Sequence, residues 1–289
     1  CNSTSVMQYI TSALLSIAEM DSICLKDKTI GIVGVGNVGS KIQKVAETLG
    51  MNILLNDPPR ERIEGPEGFC SFEKLVKGSD ILTFHVPLNE SGVDKTYHLA
   101  DEEFFNQLER KPIIINSSRG EVIKTSALKN AINTGKISKT VLDVWEREPD
   151  IDLELLNQVD IATPHIAGYS AEGKANGTSV CVNAVNDFFN LGLKVNWYPE
   201  NIPILESGNS IAIDCNDKSD QDIIKEAVVG SYNIFEDDKR LRKSPDTFEK
   251  QRGEYPIRRE FSHYNVILKK CKSKVNKRLK MLRFNIKCD

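Results

Sequence analysis

The sequence predicts an α/β protein: a doubly wound parallel sheet followed by a smaller α+β part. Six short apolar runs alternate with helical stretches at intervals of roughly 20–30 residues, which is typical of strands joined by helices. The runs are continuously apolar rather than alternating, as in strands that helices cover on both faces. Near residue 193 the composition changes, and Asn, Asp, Ser and Pro become frequent.

The elements follow in order along the chain. Apolar residues at helical spacing over 2–20, behind a Ser/Thr cluster able to cap the start, predict an amphipathic helix. The predicted strands are TIGIVGV (29–35), MNILLN (51–56), DILTFHV (80–86), PIIIN (112–116), TVLDV (140–144) and VDIAT (159–163). A helix over 40–49 follows the first strand, and a long helix runs from about 171 to 191. Turn residues over 194–220 favour loops and short strands.

This pattern divides the 289 residues into four segments. We expect a linking helix at 1–20, the doubly wound domain at 21–170, a returning helix at 171–193 and a C-terminal α+β domain at 194–289.

The charge is unevenly distributed. The formal net charge is −3, yet residues 237–289 hold 17 basic and 7 acidic residues, which leaves −13 on the preceding part. This balance argues against a protein whose whole surface binds nucleic acid. The basic tail after Tyr264 favours a helix with a solvated basic face. An anion-binding arm is the alternative interpretation of that tail.

Membrane and metal signals are weak. No apolar run approaches the roughly 18 residues that a membrane span needs. The seven cysteines are scattered without a C-x-x-C pair, so we expect reduced thiols, no metal site and a cytoplasmic location.

A glycine-rich loop follows the first strand. Gly34, Gly36 and Gly39 form G-x-G-x-x-G, and Asp57 lies 21 residues after Gly36 at the end of the next strand. The glycines permit a tight turn and close approach of a pyrophosphate, and the Asp57 carboxylate suits ribose hydroxyls and repels a 2′-phosphate. The loop therefore predicts NAD binding. Arg60 keeps NADP open, and a glycine-rich turn without a ligand is the alternative.

Three side chains near strand ends could support hydride transfer. Arg119 follows the strand PIIIN and suits a carboxylate, although it could be a surface arginine in a turn. His165 follows the strand VDIAT, and Glu148, after the preceding strand, could orient its ring and raise its pKa. A satisfied core histidine is the alternative for His165. We interpret His85 as structural, and no partner can be assigned to His98 or His263 from the sequence.

Together these residues resemble the D-2-hydroxyacid dehydrogenase family, whose pattern has a glycine-rich loop, Asn-x-x-Arg-Gly, a Glu-Pro and a Pro-His. The similarity covers about 1–200 well and 230–265 more loosely. It is carried by LNDPPR (55–60), DILTFHVPL (80–88), KTYHL (95–99), INSSRGEVI (115–123), LDVWEREP (142–149), IATPHIAGYSAEGKANGT (161–178) and FEKQRGEYPIRREF (248–261).

The resemblance implies a Rossmann-type domain and roles for individual residues. Arg119 would bind the substrate carboxylate, Glu148 would be the partner of the histidine, and His165 would be the acid/base. Tyr169 would contact the substrate. The residues implied at the cofactor, besides the three glycines and Asp57, are Asn37, Val38, Val86, Ser117, Ser118, Arg119, Asp143 and Gly168.

The resemblance also implies partners. They are a small phosphorylated 2-hydroxy acid and a second copy of the chain, bound through the C-terminal domain. Family members begin with a further N-terminal segment, so we expect the front of the catalytic domain to be missing. A dehydrogenase for another 2-hydroxy acid such as phosphoglycerate, or an NAD-binding scaffold without activity, are the alternatives.

Overall fold

Six parallel strands form the main sheet in the computed structural model, which describes residues 2–193, 196–205, 208–271 and 273–288. The strands are β1 (Thr29–Val33), β2 (Asn52–Asn56), β3 (Ile81–Phe84), β4 (Ile113–Asn116), β5 (Lys139–Leu142) and β6 (Ile161–Ala162). The first eight helices are α1 (Ser3–Met20), α2 (Gly39–Leu49), α3 (Pro58–Glu64), α4 (Phe72–Gly78), α5 (Glu102–Asn106), α6 (Thr125–Asn133), α7 (Leu153–Gln158) and α8 (Ala171–Phe189). Cys1 and residues 194 and 195, at two expected domain limits, lie outside the described residues.

The strand order is β2-β1-β3-β4-β5-β6, which confirms the prediction of a doubly wound sheet. The chain runs from β1 to β2 on one side and returns to β3 on the other. This reversal opens a crevice at the carboxyl ends of β1 and β3, where such folds bind their ligands. Strands β3 and β4 are buried along their whole length, as their continuously apolar sequences predict.

The C-terminal part contains a second, smaller sheet of three parallel strands in the order β7-β8-β9. Its strands are β7 (Ser210–Asp214), β8 (Asn265–Lys269) and β9 (Asn285–Cys288), and its helices are α9 (Asp220–Ser231), α10 (Ile234–Lys243), α11 (Phe248–Gly253) and α12 (Ser273–Met281). No helix within the described ranges is both long and apolar enough to cross a membrane.

The basic tail is only partly the helix that we expected. Helix α12 occupies its middle, and strands β8 and β9 flank that helix. Val275 and Leu279 are fully buried, while Lys274, Lys277 and Lys280 are exposed. The tail therefore does present a basic face to solvent, but its apolar residues complete the small sheet domain.

Helix α1 forms where it was predicted, but it does not expose a polar face to solvent as an amphipathic surface helix would. Every residue from Ser3 to Ala18 is buried, because α1 packs against α2 on one side and against α8, α9 and α10 on the others. The Ser/Thr cluster lies inside the helix instead of capping it, and Asn2 at the N-cap makes no side-chain cap bond. The helix therefore lies between the large sheet domain and the C-terminal part.

The polar side chains of α1 bond to both neighbours. The Gln8 amide donates to the Arg259 carbonyl (2.9 Å), and the Ser12 hydroxyl donates to the Tyr232 carbonyl (2.9 Å). The hydroxyl of Tyr9 bonds to that of Thr163 at the end of β6 (2.8 Å). Buried polar groups need such partners. These hydrogen bonds explain how Gln8, Tyr9 and Ser12 can be buried on this helix.

Candidate active site

The loop between β1 and α2 requires its glycines for different reasons. Gly34 has a φ of +85°, and a Cβ on Gly39 would lie 2.0 Å from the Gly34 carbonyl oxygen. At Gly36 nothing from elsewhere in the chain lies within 4 Å of the Cβ position, which leaves open space over the backbone. Val38 is the N-cap of α2, and no side chain caps this helix. The loop therefore fits a pyrophosphate, because its first N–H groups can receive an anion.

Asp57 lies beside a cleft of about 330 Å³ at the reversal of the sheet. Its Oδ1 accepts from the Arg60 N–H (3.1 Å) and its Oδ2 from the Val35 N–H (2.7 Å). The Arg60 guanidinium is bonded to Glu64 (2.6 and 2.7 Å), so its charge is met within α3. This arrangement favours NAD over NADP. The cleft is lined by Gly34, Gly36, Pro58, Pro59, Val86 and Pro87, among others.

Three loops leave the carboxyl ends of β4, β5 and β6 side by side. The Asp143 N–H donates to the Asn116 carbonyl (3.0 Å), and the His165 N–H donates to the Asp143 carbonyl (2.7 Å). The Asn116 side chain accepts from Ser118 and donates to the Arg119 carbonyl (2.9 Å). Arg119 is exposed, and its Nη1 donates to the Ser118 carbonyl (2.6 Å). The arginine and histidine loops therefore lie at the same sheet edge, with the β5 loop between them.

Gly120 brings the arginine loop against the turn after β5. A Cβ on Gly120 would lie 2.0 Å from the Trp145 carbonyl carbon and 2.4 Å from the Glu146 nitrogen. The Trp145 indole donates to the Thr163 carbonyl (3.0 Å), which attaches the same turn to the end of β6. The Ser117 Oγ is buried without a hydrogen-bond partner. Such an atom leaves a polar contact available to a ligand at this edge.

The imidazole of His165 is paired with Glu148. Its Nδ1 lies 2.7 Å from Glu148 Oε2, and Glu148 Oε1 accepts from the Trp145 N–H (2.8 Å). Burial disfavours the imidazolium, but the Glu148 bond and the negative charges of Asp143 and Glu148 outweigh burial and the positive charge of Arg252. The pKa of His165 is therefore raised. An oriented imidazole with this pKa is suited to proton transfer.

Replacing Glu148 with Gln is expected to lower the pKa of His165, because the change removes a negative charge beside the ring. Proton NMR titration of the imidazole in both proteins measures this. Since the folded pKa is raised, the pair stabilises the fold below the ordinary histidine pKa, and this stabilisation disappears as pH rises through the folded value. Glu154→Gln, on α7, is the control and should leave the titration unchanged. An unchanged pKa in Glu148→Gln would contradict the pairing.

Asp143 supports the loop that follows His165. Its Oδ1 accepts from the Thr163 hydroxyl (2.6 Å) and the Ile166 N–H (2.8 Å), and its Oδ2 accepts from the Ala167 N–H (2.9 Å). Burial raises the pKa of Asp143, and the positive charge of His165 and these bonds oppose the shift. We expected Asp143 at the cofactor. In the structure, its carboxylate holds the histidine loop through these hydrogen bonds.

The C-terminal part clamps the same loop from another side. The buried Arg258 guanidinium donates to the Ala167 carbonyl (2.5 Å), and the Arg258 carbonyl accepts from the Ala171 N–H (2.8 Å). At Gly168 a Cβ would lie 2.2 Å from Asn2 Nδ2, so the start of α1 also touches the loop. The histidine loop is therefore held by three separate parts of the chain.

Two other histidines differ in their surroundings. Burial lowers the pKa of His85 to about 3, and its Nε2 bonds to Thr83 (2.9 Å), so it stays neutral. His98, which has no partner assignable from the sequence, lies 2.7 Å from Glu146 through Nε2. Across the described ranges, no group of three or more His, Cys, Asp or Glu side chains could hold a metal ion.

Hydride transfer from a hydroxy acid to a nicotinamide requires a dinucleotide loop and an oriented proton acceptor on one sheet edge. This chain has both, which defines the class as NAD-dependent dehydrogenases. The chain belongs to the D-isomer specific 2-hydroxyacid dehydrogenase family, whose NAD-binding domain matches residues 11–167. A domain of unknown function, DUF3410, matches residues 204–282. NAD is thus the cofactor of this oxidoreductase.

Individual relatives and solved structures are similar to this chain. An erythronate-4-phosphate dehydrogenase from Bacteroides thetaiotaomicron is 51% identical over 267 residues, which are 92% of this chain and 73% of the relative. One from Proteus mirabilis is 46% identical over 270 residues, 92% of this chain and 71% of the relative. Among solved structures, the D-lactate dehydrogenase of Aquifex aeolicus, complexed with NAD and lactic acid, aligns with a TM-score of 0.54 and 26% identity over 65% of this chain and 66% of its own. A glyoxylate reductase from Paecilomyes thermophila aligns with a TM-score of 0.53 and 26% identity, over 67% of this chain and 64% of its own.

Proposed function

We propose that this chain oxidises 4-phospho-D-erythronate at C2 to the 2-oxo acid with NAD, a step toward pyridoxal phosphate. The names of the relatives support this substrate. On the structural side, the His165–Glu148 pair carries the proposal, because a carboxylate-oriented imidazole at the carboxyl edge of the sheet is what proton removal from a C2 hydroxyl requires.

His165 is the proton acceptor in this proposal. Its Nδ1 is bonded to Glu148, so Nε2 is the nitrogen that takes the C2 hydroxyl proton. The Glu148 carboxylate stabilises the imidazolium that forms. When bound, NAD supplies the acceptor for the hydride that leaves C2. The C2–O bond becomes a carbonyl, and the imidazolium returns its proton to solvent.

Arg119 holds the C1 carboxylate in this proposal, and Tyr169 contacts the substrate from the histidine loop. The exposed guanidinium can exchange its bond to the Ser118 carbonyl for two bonds to a carboxylate. For the cofactor, the open backbone at Gly36 and the orphan Ser117 Oγ support the fit. We assign the cofactor contacts to Gly34, Gly36, Asn37, Val38, Gly39, Asp57, Val86, Ser117, Ser118, Arg119, Asp143 and Gly168.

We also propose the assembly and location of the protein. The chain is organised as a linking helix (1–20), an NAD-binding domain (21–170), a returning helix (171–193) and a dimerisation domain (194–289).

Because the last domain would join two copies of the chain, light scattering coupled to size exclusion should give twice the mass of one chain. A monomer mass at micromolar concentration would contradict the dimer. NAD-dependent chemistry and cysteines scattered along the sequence without a C-x-x-C pair favour a cytoplasmic enzyme.

The decisive experiment compares substrates. The chain is mixed with NAD and 4-phospho-D-erythronate, 3-phosphoglycerate or D-lactate, and the appearance of NADH absorbance is followed. We expect the fastest NADH formation with 4-phospho-D-erythronate. A higher rate with 3-phosphoglycerate would assign a different 2-hydroxy acid. NAD binding without NADH formation from any of the acids would favour a scaffold.

A further inference from the structure

Two cations lie against the ring of Tyr169, four residues after His165. Lys174 Nζ, from the first turn of α8, lies 5.0 Å from the ring centroid. The Arg252 Cζ, from α11, lies 6.0 Å from the same centroid. We call these three residues the Tyr169 cluster. Because Arg252 lies within the segment matched by DUF3410, the C-terminal part brings a positive charge to the active site.

The charge of Arg252 acts on the catalytic pair itself. It lowers the pKa of His165 in the same direction as burial and against the larger effect of the neighbouring carboxylates, and the charge of Glu148 contributes to the raised pKa of Arg252. Charges influence one another in this way only at short range or through a poorly screened interior. The position of Arg252 beside the Tyr169 ring, in the same loop as His165, is consistent with this influence.

The Arg252 guanidinium has hydrogen-bond donors that remain available to a ligand. Its Nη1 donates to Glu249 (2.7 Å), whose side chain is 60% exposed, so water screens this pair. Its Nε is buried without a hydrogen-bond partner. Lys174 is exposed on α8. The Tyr169 cluster thus carries more positive charge than its own ion pair neutralises.

We propose that the Tyr169 cluster binds the phosphate at the far end of the substrate, with Arg252 as the main contact and Lys174 as the second. This inference rests on the proposed function, whose substrate has two anionic ends. Arg119 serves the carboxylate end from the β4 loop. A planar guanidinium can give a phosphate two parallel hydrogen bonds, and an ammonium adds charge. The cluster therefore selects 2-hydroxy acids that carry a second anion.

The first test measures dissociation constants by calorimetry, with NADH present to prevent turnover. The ligands are 4-phospho-D-erythronate and unphosphorylated D-erythronate. Arg252→Met should weaken binding of the phosphorylated acid about tenfold or more and leave the other acid within about twofold. The dissociation constant of the phosphorylated acid for Arg252→Lys should lie between those of the wild type and Arg252→Met, because lysine keeps the charge and loses the planar guanidinium. Lys250→Met, an exposed residue of the same helix, is the control and should match the wild type.

Equal weakening of both acids in Arg252→Met, or no weakening of the phosphorylated acid, would overturn the assignment. A second readout does not depend on the proposed substrate. Inorganic phosphate is titrated while the His165 imidazole is followed by NMR, and we expect a shift in the wild type and Lys250→Met that Arg252→Met loses. Binding of phosphate but of neither acid would refute the substrate and keep the anion site. A phosphate preference that survives in Arg252→Met would refute the site and keep the substrate.

Discussion

Replacing His165 with alanine is expected to lower kcat for NADH formation by about 10²–10⁴-fold, the usual loss when a general acid/base is removed. Without the imidazole, the C2 hydroxyl proton must pass to water while the hydride leaves. NAD affinity should change little, because the glycine loop and the Asp57 cleft lie at the other end of the crevice. Initial rates with 4-phospho-D-erythronate and fluorescence titration with NADH separate these two effects.

The control for this variant is His263→Ala. The His263 ring packs edge-on against Tyr264 in the C-terminal part. The His263→Ala protein should form NADH at the wild-type rate. If His165→Ala kept a rate near that of the wild type, His165 would have no part in proton transfer. A loss in both variants would instead point to a general effect on folding.

Replacing Gly120 with alanine is expected to destabilise the fold by about 3 kcal/mol. The new Cβ would lie 2.0 Å from the Trp145 carbonyl carbon, and backbone on both sides cannot yield as a flexible side chain would. The Arg119 loop must then move away from the turn that carries Glu148. Urea unfolding measures the stability loss, and the rate of NADH formation should fall with it.

Gly253→Ala is the matched stability control. Gly253 ends helix α11, and apart from its chain neighbours and the backbone of its own helix no atom lies within 4 Å of its Cβ position. Its unfolding free energy should stay within about 0.5 kcal/mol of the wild type, or rise slightly. A Gly120→Ala protein as stable as Gly253→Ala would show that the two loops do not depend on close backbone contact.

The six strands, and the sheet edge at which the candidate residues meet, could be predicted from sequence for a definite physical reason. A strand buried on both faces must be continuously apolar, so runs such as residues 112–116 stand out without any knowledge of tertiary contacts. In a parallel sheet all carboxyl ends meet at one edge. Residues that directly follow strands, as Arg119 and His165 do, are therefore neighbours once the sheet order is known.

What could not be predicted depends on contacts between distant parts of the chain. The apolar spacing of α1 indicated one buried face, but α8, α9 and α10, which cover its other faces, come from distant parts of the sequence. The His98–Glu146 pair joins two loops with no sequence signal for their approach. Arg258 and Arg252 reach the histidine loop from the C-terminal part, and nothing in their local sequence specifies that distance.

The burial of α1 on every side has a consequence for how the two sheets behave as units. A helix enclosed by both cannot be exposed by melting one of them without losing bonds such as Gln8 to Arg259 and Tyr9 to Thr163. We therefore expect the unfolding of the NAD-binding part to be cooperative with that of the C-terminal part.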